Sequence, residues 1–362
     1  MSNQIIVKEN IKEDFNNLIQ THNFQSCLII TTSGNKKRNY YSFFSEIMKQ
    51  NNCNFEIYTQ NNYPSLSEIE NIYKHYDRNN FDLILSIGGG SVIDISKLYS
   101  SCKIENHELL SIDDLIIEDS SNQIFNVAIP TTAGSGAEST KFATVWSFHN
   151  KKKLSFENSN LLPNVVYLIP QLTSTMDYEI TLTTALDSLC HALDSLLNKN
   201  SNLDSVDYSI NSIDLLSSNL KLSLDNLNNL EYRKNILYAS NLSGRAINIS
   251  RTSLNHAISY PITNYYGVPH GLACAFSVIS TIEYFKNELL NFEFSNSIKL
   301  GEKLISQLNL SEFYIKYLSN LDVKLVSSKS LENVRSNNFI FDLNQNIVTE
   351  ILNLSKKFYL TK

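Results

Sequence analysis

Two histidines, His256 and His270, stand fourteen positions apart in HAISYPITNYYGVPHG, in a chain that has only seven. The second lies between Pro269 and Gly271, residue types that fix a backbone bend. A third, His191, follows Asp187 by four residues in LDSLCH. On a helix that spacing places both side chains on one face, one turn apart. Two readings are open. The Asp187–His191 pair is a surface pair, or it joins His256 and His270 in a set of three imidazoles and one carboxylate. Such a set suits Zn²⁺ or Fe²⁺ and leaves room for a substrate oxygen.

A second chemical feature is SIGGGSVIDISK, where Gly88, Gly89 and Gly90 precede a helix beginning near Ser91. Glycine lets backbone amides approach a ligand, and a helix N-terminus offers unpaired N–H groups to a phosphate. The loop is a pyrophosphate cradle or a plain tight turn, and it matches neither GxGxxG nor GxxxxGK[ST]. Asp94 and Lys97 have the spacing of a surface pair on that helix. PTTAGSGAES also follows a strand and carries Thr131, Thr132 and Ser135, hydroxyls able to bind cofactor oxygens. Two polar loops at strand ends suit the ligand crevice of an open α/β sheet.

The elements that must position these residues change character near residue 178. Before it, short β-branched runs alternate with helical stretches: SCLIITTSG, FEIYTQ, FDLILSIGGG and FNVAIP read as strands. That alternation predicts a mostly parallel, doubly wound sheet. After it, TALDSLCHALDSLL, NSIDLLSSNLKLSLDNL and EKLISQLNL carry apolar residues at three- and four-residue spacing, which predicts helices. The expectation is an α/β domain over 1–178 and an all-α domain over 179–362.

Composition narrows the function. The chain has 362 residues, enough for two cores, and 42% hydrophobic content. A formal net charge of −6 supplies no basic field for nucleic acid or an anionic membrane. No apolar run approaches a membrane span of about 20 residues. The chain opens with no charged-then-apolar leader, and its five cysteines are scattered without a CxxC pair. Both features predict a cytoplasmic protein with reduced thiols.

GGGSVIDISK, IPTTAGSGAEST, LDSLCHALDS and HAISYPITNYYGVPHG together resemble the iron-containing (group III) alcohol dehydrogenase family, with its dehydroquinate synthase-like fold. The resemblance implies Asp187, His191, His256 and His270 as metal ligands, for Fe²⁺ or alternatively Zn²⁺. It implies Gly89, Gly90, Ser91, Thr131, Thr132 and Lys153 as binders of NAD(P)H, with Gly88 and Ser135 beside them. The expected reaction is reduction of a small aldehyde by a homo-oligomer, expected to be a dimer. Within the family, ATVWSFHNKKKLSF and SRTSLNHAISYPITNYYGVPHG are most similar to the phosphonoacetaldehyde reductases of phosphonate biosynthesis.

Two departures bear on the substrate. Many members have a proton-relaying histidine where this chain has Tyr260, so the proton comes through Tyr260 or water, with a packed aromatic as the alternative reading of Tyr260. Arg251 is a cation five residues before His256, and its guanidinium suits a phosphonate, although a structural ion pair is the alternative. After the first strand stand Lys36, Lys37 and Arg38 and no acid, which predicts tolerance of NADPH. The stretch from about 310 to 362 carries no motif. Three further readings remain: a general alcohol or diol dehydrogenase, a sugar-phosphate cyclase resembling dehydroquinate synthase, and a metal-free binding protein.

Overall fold

A computed structural model describes residues 4–6, 11–60, 64–104, 115–119, 122–147 and 152–360. Among the described residues ten strands occur: β1 (Gln4–Ile6), β2 (Ser26–Thr32), β3 (Asn54–Gln60), β4 (Leu83–Gly88), β5 (Cys102–Ile104), β6 (Leu115–Ile117), β7 (Phe125–Pro130), β8 (Phe142–Ser147), β9 (Lys152–Glu157) and β10 (Val165–Tyr167). Six of them form one sheet in the order β1-β10-β7-β4-β2-β3. Every neighbouring pair in it is parallel. The hairpins β5-β6 and β8-β9 stand apart from it.

All six residues of β4 are buried, because both faces of the sheet are covered. Leu83, Leu85 and Ile87 join Phe15, Phe44 and Met48 on one face. Ile84 joins Leu28, Ile72, Val92 and Tyr99 on the other. The strand order reverses at β2 and β4: the chain leaves β2 toward β3, then returns on its far side. The carboxyl ends of strands at such a reversal frame the ligand crevice of an open α/β sheet.

The chain divides into two compact units, Met1–Thr132 with Ala137–Thr173, and Ala133–Gly136 with Ser174–Lys362. The break in the main chain falls at residues 173 and 174, a few residues before the expected 178, and the short loop 133–136 goes with the helical unit. That unit is helical as the apolar spacing predicts. Its long helices Tyr178–Leu196, Leu203–Asp225 and Leu230–Ser250 start at Asp177, Asn202 and Asn229, whose side chains accept bonds from first-turn amides. Among the described residues, no helix is long and apolar enough to cross a membrane.

Candidate functional site

Helix Tyr178–Leu196 carries Asp187, His191 and Asp194, spaced by four and three residues and so aligned on one face. Its start is clamped by Arg233, which is only 1% exposed. That guanidinium donates at 2.8 Å to Thr181 Oγ1, Met176 O and Leu227 O. Helix Leu254–Tyr266 brings His256 in its first turn and Tyr260 one turn later. It stops at Gly267, whose φ of 68° is left-handed. Pro269 then precedes the short helix His270–Ala275. Gly271 is needed there, since an added Cβ would lie 1.8 Å from Thr183 O. Only glycine lets the turn after His270 press against the helix of Asp187.

These elements bring the four sequence-predicted donors together. Asp187 Oδ1 lies 3.7 Å from His191 Nε2, 3.5 Å from His256 Nε2 and 3.8 Å from His270 Nε2. Metal bonds of about 2.0–2.2 Å in tetrahedral array put donor atoms about 3.3–3.6 Å apart. The observed spacings are close to that and too long for hydrogen bonds. The rings of His191 and His256 stack at 4.6 Å, and those of His256 and His270 meet edge-on at 5.6 Å. His256 Nε2 is buried with no hydrogen-bond partner among the described residues. A buried imidazole nitrogen left bare and aimed at a carboxylate fits a divalent cation.

Cys274 is a donor the sequence reading missed. The atoms of Asp187, His256, His270 and Cys274 all lie within 4.8 Å of one another. Its Sγ is 3.8 Å from His270 Nε2 and 4.0 Å from Asp187 Oδ1. The signal was there: Cys274 follows His270 by one helical turn.

Asp194 is the second omission. It is fully buried and gathers the start of helix Leu254–Tyr266. Oδ2 accepts from Ser253 N at 2.9 Å, His256 N at 3.2 Å and His256 Nδ1 at 2.8 Å. Oδ1 accepts from Asn255 N at 3.3 Å and Asn255 Nδ2 at 2.9 Å. Holding Nδ1–H turns His256 Nε2 toward Asp187, as outer carboxylates do for metal-binding imidazoles.

Charge follows from these contacts. Burial alone would raise the Asp187 carboxyl, but the imidazoles of His191, His270 and His256 hold it well below the usual carboxylate range. Asp194 is likewise held low, against burial, by its bond to His256. His191 is pushed down to about 4 by burial, so it is a neutral imidazole at pH 7. Burial opposes a charge on His256, yet Cys274, the nearby Asp187 carboxylate and the bond to Asp194 raise it well above the ordinary imidazole value.

The glycine loop is built from main chain. Gly89 precedes the helix Gly90–Ser101 and makes no side-chain cap. The amides at that end are therefore open to an anion. Gly88 cannot carry a side chain, because a Cβ would meet Val92 Cβ at 2.5 Å. Thr131 is tied into the adjoining strand ends: its amide bonds Gly88 O at 2.9 Å and its hydroxyl receives Asn35 Nδ2 at 3.5 Å. Thr132 is half-buried beside Gly89. Ser135 belongs to the other compact unit.

Lys153 pairs with Trp146 in the β8-β9 hairpin, and its side chain lies outside the described residues. Lys97 departs from the expected surface pair. It is fully buried and donates to Phe142 O at 2.7 Å and Thr140 Oγ1 at 3.1 Å, besides Asp94 at 3.4 Å.

Two candidates sit around the metal-type cluster. Tyr260 places its ring 5.8 Å from that of His270. Arg251 ends helix Leu230–Ser250 with an exposed side chain and a φ of 66°, a strained value for a residue with a Cβ.

Comparison with known proteins matches this architecture. Residues 2–170 match the iron-containing alcohol dehydrogenase model, and residues 181–337 match the model of that family's C-terminal domain. A phosphonoacetaldehyde reductase of Streptomyces viridochromogenes is 30% identical over 56% of the chain, which spans about half (53%) of that relative. A 4-hydroxybutyrate dehydrogenase of Clostridium kluyveri is 28% identical over 74% of the chain and 71% of its own length. Among solved structures, a 1,3-propanediol oxidoreductase aligns with TM-score 0.84 at 20% identity, over 98% of both chains. A sulfoacetaldehyde reductase of Bifidobacterium kashiwanohense in complex with NAD⁺ aligns with TM-score 0.83 at 18% identity, over 100% of this chain and 98% of that one. The two family models cover both compact units, one carrying the glycine loop and the other the histidine cluster, and the chain belongs to the iron-containing alcohol dehydrogenase family.

Proposed function

We propose that the protein reduces a small aldehyde with an anionic end, phosphonoacetaldehyde first, to the primary alcohol, here 2-hydroxyethylphosphonate. The observation that carries this is the convergence of Asp187, His191, His256 and His270, with His256 Nε2 buried and bare. These four would hold one divalent cation, Fe²⁺ with Zn²⁺ as the alternative. When bound, such an ion supplies Lewis acidity that polarises a carbonyl. NADPH or NADH is the hydride donor, and the chemistry of hydride transfer is the cofactor's own.

The protein's residues have the remaining work. Open amides at Gly90 and Ser91 hold a pyrophosphate, with Gly88 and Gly89 keeping the approach clear and Thr131 and Thr132 beside it, while the family resemblance adds Ser135 and Lys153 as cofactor candidates. Asp194 fixes the tautomer and direction of His256. Tyr260, one ring away from His270, carries the proton that the product hydroxyl needs. Arg251, exposed at the bend before His256, is the candidate that the sequence offers for the substrate's anion. The relatives named for phosphonoacetaldehyde and for 4-hydroxybutyrate both act on compounds with an anionic end, which supports that substrate class. The setting we propose is the cytoplasm, and the working form a homodimer.

The deciding assay compares phosphonoacetaldehyde, acetaldehyde and butyraldehyde with NADH and NADPH, on protein of measured iron and zinc content. The proposed function requires the highest kcat/KM with phosphonoacetaldehyde. Preference for a neutral aldehyde makes the protein a general alcohol dehydrogenase instead. Sedimentation of the same preparation checks the dimer.

A further inference from the structure

Arg335 lies in the stretch after residue 310 that carries no sequence motif, within the 3₁₀ segment Val334–Asn338. Its Nε donates to Thr252 Oγ1 at 3.1 Å. Its guanidinium carbon stands 4.9 Å over the ring of Tyr260. That ring is in turn 5.8 Å from the ring of His270. Asn338 Nδ2 adds a 2.9 Å bond to Thr252 O, so one short segment is pinned twice to the connector before helix Leu254–Tyr266.

The result is a half-buried guanidinium tied to Thr252 and set over the Tyr260 ring. Among the described residues, one of its nitrogens is used and its terminal fork is not. No carboxylate lies within ion-pair distance of Arg335 among the described residues. Structural arginines of this chain look different. Arg233 spends its donors on two carbonyls and a hydroxyl. Arg78 pairs with Glu118 and bonds Tyr99 O, Ser100 O and Asn122 O. A fixed fork without an acidic partner is built to receive an oxyanion, which it can grip through two parallel bonds.

We infer that Arg335 is the docking point for the anionic end of the substrate, one aromatic ring away from the metal-type donor His270. This rests on the proposal that the histidine cluster is where an aldehyde is reduced, and it names what selects that aldehyde. The ligand class is a short aldehyde ending in a phosphonate, sulfonate or carboxylate. Stacking on Tyr260 holds the cation in place without neutralising it. Binding the anion at Arg335 would orient the carbonyl toward the reaction centre and lower the entropy cost of reaching it.

The test compares wild type, Arg335→Ala, Arg335→Lys and Arg251→Ala, each checked for metal content. Substrates are phosphonoacetaldehyde, sulfoacetaldehyde, 4-oxobutanoate and the neutral propanal. Calorimetry with ethylphosphonate gives a readout free of turnover. Arg335→Ala should lower the ratio of kcat/KM for anionic over neutral aldehydes by about tenfold to a hundredfold. It should weaken ethylphosphonate binding to a similar degree, and Arg335→Lys should recover part of both. An equal fall with propanal shows a structural stack on Tyr260 and overturns the inference. So does a loss that follows Arg251→Ala and leaves Arg335→Ala unaffected. A wild type that favours the sulfonate or carboxylate, through Arg335, keeps this inference and removes the phosphonate reading. A wild type that favours no anionic aldehyde over propanal overturns both.

Discussion

The glycine loop and the histidine cluster, both proposed to hold a charged ligand, would do so by opposite means. At Gly88–Ser91 the groups offered are backbone amides, and the side chains matter chiefly by being absent. At Asp187, His191, His256, His270 and Cys274 the groups offered are side chains from three helices, with His256 oriented by Asp194. The first arrangement is local in sequence, set by a strand, a turn and a helix start. The second exists only once the helices have packed, with Arg233 clamping one helix, Asp194 gathering the next, and Gly271 admitting the third. A backbone site should be damaged by adding atoms, and a side-chain site by removing them.

The largest expected effect removes a donor. His270→Ala should abolish stoichiometric metal, measured by elemental analysis, and lower kcat by about a thousandfold or more, since Lewis-acid help amounts to several kcal/mol. Retained metal with full turnover would take His270 out of the site.

Next is Asp194→Asn, which leaves every donor in place but removes the carboxylate that aims His256. Metal affinity should fall about tenfold to a hundredfold. A second readout follows from the protonation of metal-free His256, raised well above its ordinary value. Metal binding at pH 7 should expel that proton, visible as a buffer-dependent heat in calorimetry, and the expelled fraction should shrink in Asp194→Asn. Acid supplies a third. The folded Asp194 carboxyl is held below its unfolded value, so its contribution to stability is present above about pH 4 and is lost as pH falls through the folded value. Denaturant titrations of metal-free protein from pH 5 down to about pH 2 should therefore show a steeper loss below about pH 4 in wild type than in Asp194→Asn.

Gly88→Ala tests the other region by addition. The new methyl meets Val92 Cβ at 2.5 Å, so the Gly90–Ser101 helix must shift. Overpacking of this kind costs about 1–3 kcal/mol. The KM for the nicotinamide cofactor should rise by roughly tenfold, while metal content stays at the wild-type level. A variant that loses metal as well would show that the two regions do not respond separately.

The same contrast explains what was legible in the sequence. The strand of Leu83–Gly88, the glycine turn and its helix are written in adjacent residues, with a β-branched run, a turn signal and helical spacing. Asp187 and His191 were legible because one helix turn relates them, and His256 and His270 because rare residue types stood out. Asp194 and Cys274 share those helix-turn spacings, three after His191 and four after His270. They passed unnoticed because a serine-rich helix and a buried thiol have ordinary structural readings. Lys97 was misread as a surface group because spacing reports neighbours on one helix, not the β8 strand that covers it. Arg335 had no signal at all. Its stretch is irregular, and what singles it out is Thr252 and Tyr260, more than seventy positions away.

The smallest expected effect concerns the cations beyond β2. Lys36, Lys37 and Arg38 are all exposed, in and just after the short helix Ser33–Lys37. The end of β2 pairs with the end of β4, Thr31 opposite Ile87, so this run lies at the mouth of the strand next to the one that carries the glycine loop. A dinucleotide held by that loop would direct its adenosine ribose toward the end of β2. A 2′-phosphate there would meet three cations and no acid. Each contact is solvent-exposed, so each contributes at most about 1 kcal/mol. Replacing all three by alanine should lower kcat/KM with NADPH by about threefold to tenfold, with a smaller change for NADH. Raising salt to several hundred millimolar should produce much of the same loss in wild type, because exposed charges are screened over about 10 Å or less. Thermal stability should hold, since none of the three side chains is buried. A triple variant that keeps its NADPH preference at low salt would place the 2′-phosphate elsewhere, and the cationic run would then be only a solvated surface.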